Sequence, residues 1–124
     1  MRCRFCSVWF LLIAVAVAST PEAAAAHAFP NGSEPAVGST VSTPPAQVVV
    51  NFDSPIEQMF AKLSVFDSSG QVHDNGAPVV SDDHRRLSIK LKTLGPGEYT
   101  VKWTVVAEDG HRTEGSFNFT VAGS

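Results

Sequence analysis

Glu98-Tyr99-Thr100-Val101-Lys102-Trp103-Thr104-Val105-Val106 decides the fold class of this chain. Tyr99, Val101, Trp103 and Val105 fall on one side of an extended segment, while Glu98, Thr100, Lys102 and Thr104 fall on the other. Alternation with period two and a polar opposite side is the mark of a half-buried antiparallel strand. The same pattern recurs on both sides of this stretch. Gln47–Asp53 places Val48, Val50 and Phe52 together, and Ala61–Phe66 does so with Ala61, Leu63 and Val65. Arg86–Lys92 sets Leu87, Ile89 and Leu91 against Ser88, Lys90 and Lys92, and Ser116–Val121 groups Phe117, Phe119 and Val121. His27–Ser33 reads as an edge strand broken by Pro30, since proline cannot donate to a ladder.

The connections carry turn chemistry. Asp67-Ser68-Ser69-Gly70 and Asp74-Asn75-Gly76 supply residues that tolerate positive φ. Leu94-Gly95-Pro96-Gly97-Glu98-Tyr99 resembles a tyrosine corner, in which the Tyr hydroxyl ties a strand start to the loop before it. Trp103 follows on the Tyr99 face and is expected in the core. Ile56–Phe60 is expected to form at most a short helix. Six or seven short strands in one small domain predict an all-β, Greek-key β-sandwich or barrel.

The N-terminal stretch is of another kind. Arg2 and Arg4 precede the apolar run Val8–Ala18, and small residues follow, ending in Ala23-Ala24-Ala25-Ala26. A basic start, a short apolar run and an Ala-x-Ala close describe a cleaved secretory signal, which assigns residues 1–26 to the signal and 27–124 to the domain. Both cysteines, Cys3 and Cys6, fall in the signal, so the domain has neither disulfide nor thiolate. Residues 27–124 hold seven basic and eleven acidic residues, a net charge of −4 with histidines neutral. A mildly acidic domain with no basic stripe argues against nucleic acid as a partner.

Cleavage before His27 would give this histidine a special chemistry. Its free α-amine, with an unperturbed pKa of about 8, and its imidazole close one chelate ring on a metal ion. Asp109-Gly110-His111 offers a carboxylate and a second imidazole; an extended Asp-x-His puts both side chains on one face, and Gly110 permits a turn. Three nitrogens and one oxygen suit the tetragonal preference of Cu(II), which also heads the divalent affinity order. His27, Asp109 and His111 are therefore the candidate ligands for one Cu(II) ion per domain. Met59 is the single methionine after residue 26, too few for a Cu(I) site, and reads as core or surface filler. His73 and His84 stand in polar surroundings and read as solvent-exposed loop histidines; the alternative is a weaker second site with Asp82 or Asp83.

The ordered set His27-Ala28-Phe29-Pro30, Ser33-Glu34-Pro35-Ala36-Val37-Gly38, Val50-Asn51-Phe52-Asp53-Ser54-Pro55, Gly97–Trp103, Asp109-Gly110-His111 and Gly115-Ser116-Phe117 resembles the CopC copper-resistance family. The resemblance covers essentially all of residues 27–124. It implies a cupredoxin-like or immunoglobulin-like β-fold, a periplasmic or secreted location, a monomer, and Cu(II) held by His27, Asp109 and His111. Family members are associated with a membrane copper-transport protein, which makes one the implied partner. Two departures stand out: the methionine-rich Cu(I) loop of some members is missing, and Ser54 occupies a position where some carry an acidic residue. No catalytic nucleophile or acid–base pair is evident, so the expectation is a binding protein rather than an enzyme. The rivals are a copper oxygenase with an N-terminal His, which needs open coordination positions, and a metal-free structural β-sandwich.

Overall fold

The computed structural model describes residues 27–123 and contains eight strands. The expected signal, residues 1–26, lies outside the described residues. The strands are β1 (Pro30–Glu34), β2 (Thr40–Val41), β3 (Gln47–Phe52), β4 (Lys62–Asp67), β5 (Val79–Val80), β6 (Arg86–Lys90), β7 (Gly97–Val106) and β8 (Arg112–Val121). They form two four-stranded sheets, ordered β1-β3-β6-β5 and β2-β8-β7-β4. The all-β expectation holds, and of its two architectures the open sandwich is the one adopted.

Alternation in the sequence becomes burial in the fold. Val48, Val50 and Phe52 of β3 and Leu87 and Ile89 of β6 face Leu63 and Val65 of β4 and Tyr99, Val101, Trp103 and Val105 of β7. Among the described residues no charged or polar side chain is buried with them. The core therefore draws on apolar burial, worth about 1.5–3 kcal/mol for each large side chain. Tyr99 closes the expected corner, its hydroxyl donating to the Gly95 carbonyl at 2.7 Å, while its ring stacks on Phe119. Trp103 is in the core as expected, edge-on to Phe52 at 5.4 Å. Its cross-strand partner is Gly115, and the indole occupies the space a side chain there would take.

Several boundaries differ from the sequence reading. β8 begins at Arg112, four residues before Ser116, because it pairs with β7 along the whole register from Gly97↔Val121 to Val106↔Arg112. Ile56–Phe60 is not a helix. Ile56 is buried and bridges Ala107, residues 58–60 form a turn, and the Gln58 side chain bonds Val80 N and the Pro78 carbonyl. Those long-range contacts outweigh the local tendency to coil. The pairs at β2 and β5 are too short to show a period. β1 is an edge strand as expected, but it begins at Pro30 instead of being broken there and leaves residues 27–29 outside it, and its register shifts between Pro30 and Gly32.

The pairing also sorts the loops into two ends. β1 starts opposite the end of β3, which lies beside the start of β6. The Ile56↔Ala107 bridge joins this end to the loop between β7 and β8. Residues 27–29, 53–57, 81–85 and 107–111 thus share one end of the sandwich.

Candidate metal centre

The five-residue loop 107–111 is closed by Ala107 N to the His111 carbonyl at 2.8 Å and Gly110 N to the Ala107 carbonyl at 2.8 Å. Gly110 has φ +90°, a left-handed conformation that a side chain would resist. Asp109 and His111 are therefore presented by the tight turn that Gly110 permits and not by an extended segment. The Asp109 carboxylate curls back on its neighbour: Oδ1 accepts from His111 N at 3.1 Å, and Oδ2 lies 3.2 Å from His111 Nδ1. This turns Nε2 of His111 away from the carboxylate. The Asp109 carboxyl is held below the usual carboxylate range, chiefly by the His111 backbone N–H. Partial burial opposes the shift, and the His111 side chain and the charges of His111 and His27 add to it. The Asp109 carboxyl is thus ionised at neutral pH.

His27 reaches this loop from more than eighty residues away in the sequence but from the same end of the sandwich. Its ring meets that of His111 edge to face, with centroids 4.6 Å apart, and Phe29 flanks it at 5.9 Å. All three candidate ligands are thus gathered at one end. They do not form a finished cage: among the described residues, no three His, Cys, Asp or Glu side chains are arranged to hold a metal. Asp109 is engaged with His111 instead of pointing with it at a common point. The donor set suits an ion that bonds imidazole nitrogen at about 2.0 Å and takes a carboxylate beside it. Half-exposed His111 leaves the approach open to solvent.

The segment after His27 is firmly seated. The Ala28 side chain is fully buried, and Thr113 Oγ1 donates to the Ala28 carbonyl at 2.6 Å. Phe29 N donates to Asp53 Oδ1 at 2.9 Å, and the Phe29 carbonyl accepts from Asp53 N at 2.9 Å. The carbonyl of Asp53 is taken by Arg85 Nη1 at 2.7 Å, so the carboxylate does the accepting for Phe29. The sequence reading passed over Thr113, although Asp109, His111 and Thr113 stand two apart.

Of the remaining histidines, His84 is the exposed loop residue expected and His73 is not. His73 is largely buried, with Nε2 2.9 Å from Asp67 Oδ2 and its ring edge-on to Tyr99. Asp67 also accepts from Ser69 and Gln71, and its carboxyl sits well below the usual range, first because of His73 and then Ser69. His84 stays half-exposed at φ +59° and pairs with Glu108 at 3.2 Å. Asp83 is occupied by Ser81 and Arg85 N. His73 sits by Asp67, which pairs with Tyr99 at the start of β7; His84 bonds Ile56 N through its carbonyl, beside the end of β7. The two lie at opposite ends and cannot share a site with Asp82 or Asp83. Met59 is surface, 84% exposed.

Fold and cluster define a small β-sandwich domain with two imidazoles and a carboxylate at one end. The chain belongs to the CopC family: residues 31–122 match the CopC domain. Among characterised relatives, it is 30% identical over 115 residues to the copper transport protein CutJ of Bacillus subtilis strain 168. That match covers 91% of this chain and 21% of CutJ, so the chain spans about a fifth of that relative. It is 33% identical over 101 residues to protein YobA of Escherichia coli K12, covering 77% of this chain and 79% of YobA. The structure of CopC from Methylosinus trichosporium OB3b superposes with a TM-score of 0.72 at 32% identity, covering 77% of this chain and 94% of that one. PcoC, a methionine-rich copper resistance protein from Escherichia coli, superposes with a TM-score of 0.68 at 25% identity, covering 77% and 99%.

Proposed function

We propose that this chain is exported, cut before His27, and binds one Cu(II) ion through the amine and imidazole of His27, the Asp109 carboxylate and the His111 imidazole. The observation carrying this reading is the approach of the His27 and His111 rings to 4.6 Å, with Asp109 on His111. Copper is named in what is known of CutJ and PcoC, and the donor chemistry favours Cu(II) over Cu(I). The ion is cargo, captured and released rather than used in turnover. The amine and imidazoles compete with protons, so acidification loosens the complex. Reduction loosens it too, because Cu(I) prefers softer and fewer ligands, and residues 27–124 supply one thioether and no thiolate. The domain works as a periplasmic or secreted monomer that sequesters copper or passes it to a membrane copper-transport protein.

Mass spectrometry of the exported protein should find His27 at the N-terminus. Competition titration of the chain beginning at His27 should show tight Cu(II) binding that weakens sharply in His27→Ala and when one alanine is retained before His27. Undiminished affinity with that extra alanine refutes the chelate.

A further inference from the structure

The His27 chelate brings together residues far apart in the sequence, and something must hold its backbone there. We propose that Thr113 is a positioning residue for the copper site, acting through the Ala28 carbonyl, with Asp53 as its counterpart on Phe29. The inference rests on the Cu(II) reading above. Thr113 Oγ1 donates to the Ala28 carbonyl at 2.6 Å, across 85 residues of sequence, from the second residue of β8, the strand that follows His111. One bond therefore ties the residue after one imidazole to the residue two beyond the other. On the far side, the Asp53 carboxylate accepts from Phe29 N at 2.9 Å, and Arg85 holds the Asp53 carbonyl. The Ala28 side chain is fully buried between these anchors, so the segment cannot slide or rotate without exposing it. His27 then has only its side-chain torsions and its own backbone rotation, which sets the amine, left to settle when copper arrives.

Without the Thr113 bond, copper binding itself must order the Ala28 peptide. Ordering one backbone residue, or losing a group that supports a ligand, corresponds to about a ten-fold loss of affinity. The test uses the chain beginning at His27, with Thr113→Val, Thr113→Ser and Asp53→Ala variants. Cu(II) affinity is read by competition titration, the copper environment by electron paramagnetic resonance, and the fold by thermal unfolding without metal. Thr113→Val should bind about ten-fold more weakly, with a shifted or heterogeneous copper spectrum, and Thr113→Ser should restore both. Asp53→Ala, an independent variant on the exposed side, should move the spectrum the same way if Thr113→Val folds poorly. A folded Thr113→Val or Asp53→Ala with the parent's affinity and spectrum overturns the proposal. If the parent itself binds copper without needing His27, the Cu(II) reading fails instead, and the two failures are distinguishable.

Discussion

Replacing Gly115 with alanine tests the packing that supports the hairpin bearing Asp109 and His111. A Cβ at position 115 would stand 2.6 Å from Cζ2 of Trp103, 3.0 Å from Cε2 and 3.2 Å from Nε1. Ordinary carbon–carbon contact lies at about 3.5–4.0 Å, so the indole must retreat by roughly 1 Å. Its retreat is blocked, because the ring is 7% exposed and lies against Phe52. Overpacking of this kind costs about 1–3 kcal/mol. A domain of this size loses about 4–8 °C of Tm for each kcal/mol, so the variant should melt roughly 4–24 °C below the parent. Trp103 is the single tryptophan in residues 27–124, so its fluorescence reports on the strained site itself. Thermal unfolding of the chain beginning at His27, followed by fluorescence and circular dichroism, gives the number. A Tm within about 2 °C of the parent would refute the steric reasoning. Copper affinity should survive in the folded variant, because three further ladder pairs separate Trp103↔Gly115 from the loop.

His111→Ala should lower Cu(II) affinity by more than the roughly hundred-fold seen when a group supporting a ligand is lost, whereas His73→Ala, at the other end, should leave it unchanged in the same titration. Tyr99→Phe should cost about 1 kcal/mol in urea denaturation, since it deletes the bond to the Gly95 carbonyl and leaves the ring packing intact. The Asp67 carboxyl is depressed in the folded chain, so its stabilisation is complete above the ordinary value of 3.8 and is lost as pH falls below it. Asp67→Asn should therefore be less stable than the parent at pH 7, and the gap should narrow between about pH 5 and pH 2. Urea midpoints at several pH values measure this, and a gap that does not change with pH contradicts it.

The long strands were legible because their alternation is local: each buried residue of β3, β6 and β7 announces itself by its neighbours two positions away. The tyrosine corner was legible for the same reason. The ten-pair register of β7 with β8 was not, since Arg112–Gly115 shows no apolar period and joins the sheet only because a long partner is already there. The Ile56–Phe60 turn and the two-residue strands likewise depend on contacts made elsewhere in the chain.

The candidate site divides in the same way. Residue chemistry by itself nominated His27, Asp109 and His111, because an amine, imidazoles and a carboxylate are properties of side chains and of an expected cleavage point. Tertiary structure alone decided that His27 and His111 meet, that Asp109 is turned onto His111 by a tight loop, and that Thr113 and Asp53 seat the segment after His27. It also separated His73 from His84. Distance between residues far apart in sequence is set by strand order and register, and those follow from burying the whole core at once rather than from any short stretch of the chain.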